Sequence, residues 1–152
     1  MAFVLNGDEV APAIEPDASL LAALRGPLGL SGTRYGCGAE QCGACLVLVD
    51  DAPAYACTLP VKAVAGRRVT TVEGLGSEAA PHPLQRALLD EQAGQCGFCL
   101  SGITLRAVAL LRTNPTPKAA EVRAALDPQL CRCGSHNRIV RAVLRAAAEM
   151  AA

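Results

Sequence analysis

Residues 32–45 read GTRYGCGAEQCGAC, and this stretch decides how the first half of the chain folds. It holds three of the eight cysteines with the spacing Cys37-x4-Cys42-x2-Cys45, and Cys57 follows after eleven intervening residues. This is the ligand spacing of a plant-type [2Fe–2S] cluster. The interspersed glycines let a short loop curl around such a cluster, because glycine adopts positive φ angles easily. The spacing therefore predicts one [2Fe–2S] site held by these four thiolates.

The other four cysteines form a second group in the C-terminal half. Cys96-x2-Cys99 and Cys131-x-Cys133 are separated by 31 residues. Two paired half-sites favour four-thiolate ligation of either zinc or an iron–sulfur cluster. The spacing alone leaves both metals open, and the iron–sulfur signature of the first group shifts the balance toward a second cluster.

The N-terminal sequence bears on the compartment. MAFVLNGDEV has neither the basic region nor the apolar core of an export signal. We therefore expect the cytoplasm, where clustered cysteines bind metal or do redox work more often than they form disulfides. Export together with a partner that carries a signal would instead place the protein in the periplasm.

Composition excludes two classes of partner. The 152 residues contain 14 Lys+Arg and 14 Asp+Glu, so the formal net charge is 14 − 14 = 0. A neutral chain lacks the basic footprint of a nucleic-acid-binding protein. No apolar run approaches the roughly 18 residues of a membrane span, so we expect no direct membrane insertion.

Hydrophobic periodicity and turn residues predict an α+β fold in two domains. Residues 1–74 are predicted to form a ferredoxin-like β-grasp domain, with one helix that Asp17 or Ser19 caps. Residues 75–82 are predicted to be a linker, and residues 83–152 a four-helix bundle. Thr116 is predicted to cap the third helix of this bundle. The predicted strands are 3–5, 46–49, 54–58 and 69–72, and the predicted helices are 20–24, 83–91, 97–112, 119–126 and a last one after Ser135.

Four stretches together resemble the small iron–sulfur subunit of the bacterial molybdenum hydroxylases, the xanthine oxidase/aldehyde oxidoreductase family. They are GTRYGCGAEQCGAC (32–45), ACTLPV around Cys57, GQCGFCLSGI (94–103) and LCRCGSHNRIVRAV (130–143). The HNRIV ending looks most like the small subunits of nicotinate- and isoquinoline-type dehydrogenases. Glu40 departs from the pattern, because many members have glycine there.

The resemblance implies one [2Fe–2S] cluster in each domain and a role in electron transfer, with the substrate-oxidising site on another chain. By this resemblance, Gln95 and Cys133 contact a molybdopterin, expected as the cytosine dinucleotide, that a large subunit holds. The partners it implies are this large subunit together with an acceptor, either an FAD-binding subunit or a cytochrome c-type haem protein. Its ligands to the outer cluster are Cys37, Cys42, Cys45 and Cys57, and its ligands to the inner cluster are Cys96, Cys99, Cys131 and Cys133.

The residues themselves also allow two other functions. The chain could be a free-standing ferredoxin-like carrier, which would be a monomer without a stable large partner. It could also be a structural zinc-binding interaction module, which would be colourless.

Overall fold

The computed structural model describes all residues from Met1 to Ala152. The first half contains one five-stranded mixed sheet with the strand order β2-β1-β5-β3-β4. β1 is parallel to β5, and every other neighbouring pair is antiparallel. The strands are β1 (Phe3–Leu5), β2 (Asp8–Val10), β3 (Leu46–Val49), β4 (Ala52–Tyr55) and β5 (Arg68–Thr70).

One helix, α1 (Leu20–Arg25), packs its leucines against this sheet. Ser19 caps it, with the hydroxyl accepting a hydrogen bond from the N–H of Ala22 at 3.2 Å. One of the two predicted capping residues is thus confirmed. Two short 3-10 helices, Val61–Val64 and Val72–Gly74, flank β5 and were not predicted, because single turns carry little periodicity.

Four further helices follow the sheet. α2 packs on α5, α4 packs on both α3 and α5, and α3 also lies against β3. None of the helices is both long and apolar enough to span a bilayer. The helices are α2 (Pro83–Asp90), α3 (Leu100–Thr113), α4 (Ala119–Leu126) and α5 (His136–Met150).

Some predicted boundaries differ from the observed ones. The helix predicted from residue 97 begins at Leu100, because Cys99 occupies its N-cap and residues 96–98 belong to the cysteine loop. The prediction that Thr116 caps α4 is wrong, since Lys118 occupies the N-cap. Its N–H donates to the Glu121 carboxylate at 2.7 Å, which satisfies the backbone there without a hydroxyl cap.

The strand β3 separates two hydrophobic cores. Leu46 and Leu48 belong to the core that the helices α2–α5 build. Val47 and Val49 belong to the core beneath α1. Alternate residues of a strand point to opposite faces of the sheet, so a strand buried on both faces reads as a continuous apolar run. The prediction of a buried strand over residues 46–49 is confirmed.

Candidate metal centres

The first site is a loop between α1 and β3 that directs backbone amides at sulfur atoms. The N–H groups of Ala39 and Gln41 donate to Sγ of Cys37 at 3.3 and 3.2 Å. The N–H of Cys37 donates to Sγ of Cys42 at 3.3 Å. The amides of Ala39 and Gln41 lower the pKa of the exposed Cys37 thiol to about 7, because they stabilise its thiolate.

The other two thiols of this site lie deeper in the protein. Cys45 immediately precedes β3 and is only 1% exposed, and its thiol lies beside that of Cys57, which follows β4. The N–H of Ala56 donates to the carbonyl of Cys45 at 3.1 Å, which holds the two segments together. Burial raises the pKa of the Cys45 thiol to about 12. A cation or cationic cluster core is needed to stabilise a thiolate here.

The second site lies where α3 and α5 begin. The Sγ atoms of Cys96 and Cys133 are 3.4 Å apart, and the thiols of Cys99 and Cys131 also lie next to each other. Burial raises the pKa of Cys99 to about 12. Burial also acts to raise the pKa of Cys131, but hydrogen bonds from backbone N–H groups, that of Ser135 foremost, more than offset it and lower the pKa.

Both sites bring their thiols together in pairs. Cys37 pairs with Cys42 and Cys45 with Cys57, while in the second site the pairs are Cys96 with Cys133 and Cys99 with Cys131. A [2Fe–2S] cluster takes two thiolates on each of its two irons, so two adjacent pairs match its ligand geometry.

A glycine completes the cradle of the first site. A Cβ added to Gly36 would lie 2.6 Å from Sγ of Cys42, so a larger residue would fill the space beside the thiol. The amides directed at Cys37 and Cys42 would stabilise the negative charge of an iron–sulfur cluster. The donor set, the pairing and the cradle therefore fit a [2Fe–2S] group.

The two sites touch through the segment that precedes Cys131. The N–H of Leu130 donates to the carbonyl of Cys42 at 3.0 Å. The side chain of Gln129 is 4% exposed and lies against Gly43, where an added Cβ would meet Oε1 at 2.2 Å. Gln129 was not predicted from the sequence, because a polar residue before a cysteine looks like surface and no local pattern shows a contact with a distant loop.

The second site has an exposed edge. Gln95 donates from Nε2 to the carbonyl of Cys133 at 2.9 Å, so the structure brings these two predicted cofactor-binding residues together. The neighbouring apolar side chains of Phe98 and Leu130 are 46% and 61% exposed. Both line a cavity of about 760 Å³ that also reaches Cys96.

One side-chain hydrogen bond joins the two segments of the first site. The carboxylate of Glu40 accepts a hydrogen bond from the hydroxyl of Thr58, the residue that follows Cys57. In the sequence, Glu40 stands out only as a departure from a glycine, and nothing there predicts this contact. A hydrogen bond between two exposed side chains of different segments leaves no signal in the pattern.

Two family models match the two halves of the chain. The model of the 2Fe-2S iron-sulfur cluster binding domain matches residues 3–62. The model of the [2Fe-2S] binding domain matches residues 71–144. The second match favours an iron–sulfur cluster over zinc for the second group of cysteines, where spacing alone left both open.

Curated relatives and a solved structure agree with these matches. The chain is 50% identical to a nicotinate dehydrogenase subunit of Pseudomonas putida over 143 residues, which cover 94% of this chain and 91% of the relative. It is 48% identical to the alpha subunit of isoquinoline 1-oxidoreductase from Brevundimonas diminuta over 150 residues, 98% of each chain. A chain of quinoline 2-oxidoreductase from Pseudomonas putida 86 superposes with a TM-score of 0.94 at 36% identity, covering 99% of this chain and 94% of that one.

Proposed function

Because this chain belongs to the small iron–sulfur subunits of the molybdenum hydroxylases, the xanthine oxidase/aldehyde oxidoreductase family, we propose that it relays electrons singly between two partners. It receives them from the molybdopterin centre of a large subunit, then delivers them to a flavin or haem acceptor. The substrate-oxidising site is on another chain, and each [2Fe–2S] cluster supplies one-electron uptake and release.

The proposed ligands of the outer cluster are Cys37, Cys42, Cys45 and Cys57, and those of the inner cluster are Cys96, Cys99, Cys131 and Cys133. The pairing of the thiols in each site supports this assignment. The amides that donate to Cys37 and Cys42 would favour the more negative, reduced state, because they point partial positive charge at the sulfurs.

The observation that best supports electron transfer between the two sites is the hydrogen bond that joins them. The N–H of Leu130 donates to the carbonyl of Cys42 at 3.0 Å, and Leu130 is bonded to Cys131. One hydrogen bond and a few covalent bonds therefore connect a proposed ligand of the outer cluster with one of the inner cluster. Electron tunnelling through bonded atoms decays less steeply than through space, so this contact favours exchange between the two sites.

The exposed edge of the inner site is the proposed entry point. Gln95 is exposed and hydrogen-bonds to the backbone of Cys133, so both residues are available to a partner-held molybdopterin of the cytosine dinucleotide type. The exposed Phe98 and Leu130 beside them would be covered by the large subunit. The outer site would then face an FAD-binding subunit or a cytochrome c-type acceptor.

We also propose that the chain divides into two domains, one for each cluster. Residues 1–74 would form the β-grasp domain of the outer cluster, residues 75–82 the linker and residues 83–152 a four-helix bundle around the inner cluster. The grouping of the cysteines supports this division, since Cys37, Cys42, Cys45 and Cys57 lie before the linker and the other four lie after it.

The test is low-temperature EPR of the dithionite-reduced complex, with reciprocal cysteine variants as controls for each other. We expect two [2Fe–2S] signals with different relaxation in the wild type. Cys42→Ser should abolish or alter one of them, and Cys133→Ser the other. A single signal in the wild type, or loss of the same signal in both variants, would refute two independent clusters.

A further inference from the structure

Glu40 occupies a backbone conformation that disfavours its side chain. It lies at the tip of the loop between Cys37 and Cys42 with φ = +59°, in the left-handed region. Residues with a Cβ rarely adopt this region, and where they do the surrounding contacts must hold them there. The side chain of Glu40 is exposed, so core packing does not explain the strain.

The contact that holds Glu40 joins two segments that carry cysteines. Its carboxylate accepts the hydroxyl hydrogen bond of Thr58, and Thr58 is bonded to Cys57. The loop of Glu40 carries three of the four proposed ligands of the outer cluster, and the segment of Thr58 carries the fourth. The carboxylate thus links the two segments that carry the proposed ligands.

Glu40 carries its charge on the loop that surrounds Cys37, and no cation neutralises that charge. The residues on either side of it, Ala39 and Gln41, both donate their N–H groups to Sγ of Cys37, at 3.3 and 3.2 Å. No Lys or Arg forms an ion pair with its carboxylate, although the chain has ion pairs elsewhere. An unpaired negative charge therefore stands at the solvent side of the outer site.

We propose that Glu40 lowers the reduction potential of the outer cluster through the negative charge of its exposed carboxylate. The inference rests on the proposed function, which places a one-electron centre there. One electron moves from the inner to the outer site, no bond is made or broken, and the outer site gains one negative charge. A neighbouring carboxylate opposes that gain by Coulomb repulsion, so it holds the potential down.

The lower potential of the outer cluster would affect how readily electrons arrive at it and leave it. A lower potential at the outer site makes arrival of the electron from the inner site less favourable. It makes departure to the acceptor more favourable by the same amount. Glu40 would therefore favour fast delivery to the acceptor over storage of electrons on the outer cluster.

Three variants of the intact complex separate the charge from the hydrogen bond. Glu40→Gln keeps the size and an acceptor oxygen for Thr58 but removes the charge. Thr58→Val keeps the charge and removes the hydrogen-bond donor. Glu9→Gln removes an exposed charge from β2, at the opposite edge of the sheet from β4, and serves as the matched control.

The measurement is an EPR-monitored redox titration of both clusters at low and high ionic strength, with the melting temperature recorded for each variant. We expect Glu40→Gln to raise the potential of the outer cluster alone and to change its electron-exchange equilibrium constant by roughly threefold to tenfold at low salt. The shift should shrink at about 1 M salt, where the Debye length is only about 3 Å. Thr58→Val should shift the potential less than Glu40→Gln, and Glu9→Gln should leave it unchanged.

Any one of three outcomes would overturn the inference. An unchanged outer potential in Glu40→Gln at low salt overturns it, whether or not the melting temperature falls, because the residue would then act on structure alone. Equal shifts of both clusters overturn it as a general charge effect. A wild-type complex without two cluster signals overturns the proposed function itself, and the inference with it, so the two failures are distinguishable.

Discussion

Gly43 lies where the loop of the outer site meets the segment that leads to the inner site. Its φ of +76° and its closeness to Gln129 each favour glycine. Gly102 of α3 adds a second close approach, because a Cβ there would lie 2.0 Å from the carbonyl of Gly43. At the scale of single residues, the two sites therefore meet where the backbone of Gly43 lies close to Gly102 and to the buried side-chain amide of Gln129.

Gly43→Ala should destabilise the protein more than a matched change at Gly66. Gly66 has a similar φ of +68°, but nothing lies within 4 Å of its added Cβ. Gly66→Ala should therefore lose only the conformational term, about 1 kcal/mol. Gly43→Ala adds a steric clash with Gln129 and should lose about 3 kcal/mol. Urea unfolding followed by cluster absorbance and circular dichroism measures both, and equal losses would show that the contact with Gln129 contributes nothing.

The proposed metal ligands could be named from the sequence, and the residues that hold the two sites together could not. Cysteine spacing is local, so eight ligands could be named without a fold. The contact of Gln129 with Gly43 depends on how two distant segments pack, and neither residue type points to the other. The same holds for Glu40 and Thr58, whose hydrogen bond joins segments that only the sheet brings together.

At the scale of elements, the start of α2 depends on a histidine. His82 is half-buried, and its Nδ1 accepts a hydrogen bond from the N–H of Leu84 at 3.1 Å. The side chain of Gln85 in turn accepts a hydrogen bond from the N–H of His82 at 2.9 Å. Burial, with a smaller contribution from the charge of Arg112, lowers the pKa of His82. The cap needs the neutral imidazole, because a protonated Nδ1 cannot accept a hydrogen bond.

The stability of the protein should therefore fall as the pH falls below about 6.5, the ordinary pKa of histidine. The folded pKa of His82 lies below the unfolded one, so over that window the unfolded state binds a proton that the folded state does not. His82→Asn keeps a capping acceptor without titrating and should flatten the profile of melting temperature between about pH 7.5 and 5.5. Ser19→Ala, which removes the cap of α1 without changing a titratable group, is the control and should keep the wild-type slope. A wild-type slope in His82→Asn would contradict this role.

Local signals predicted the cap of α1 but not that of α4, where Lys118 occupies the N-cap in place of Thr116, and features that depend on distant packing were missed. The N–H of Ala22 meets the hydroxyl of Ser19 as the sequence suggested, since a helix cap involves only adjacent residues. The sequence predicts only a linker at residues 75–82 and not the partial burial of His82, because that burial comes from packing with residues that are distant in sequence. The predicted start of α3 is too early because the apolar periodicity runs into the cysteine loop.

At the scale of the whole molecule, the sheet belongs to both halves. Leu46 and Leu48 are fully buried by the helices, on the face of β3 opposite to α1. The N-terminal half alone would expose this apolar face, and the helical half alone would lose the surface on which α3 lies. The proposed boundary at residues 75–82 would therefore separate the two groups of cysteines but not the hydrophobic cores.

A fragment of residues 1–74 should consequently be less stable and less soluble than the same residues in the full chain. The double variant Leu46→Thr/Leu48→Thr tests the cause, because threonine retains strand propensity and tolerates water. It should raise the solubility of the fragment, where the face is exposed, and lower the stability of the full chain by about 4 kcal/mol or more, where the face is buried. Sedimentation of the fragment and urea unfolding of the full chain measure the two effects. The critical result is that the double variant improves the fragment and harms the full chain. If it improves both or harms both, or if the unsubstituted fragment is as stable as the full chain, then each half folds on its own core. The packing of the helices on β3 would then contribute little to the stability of either half.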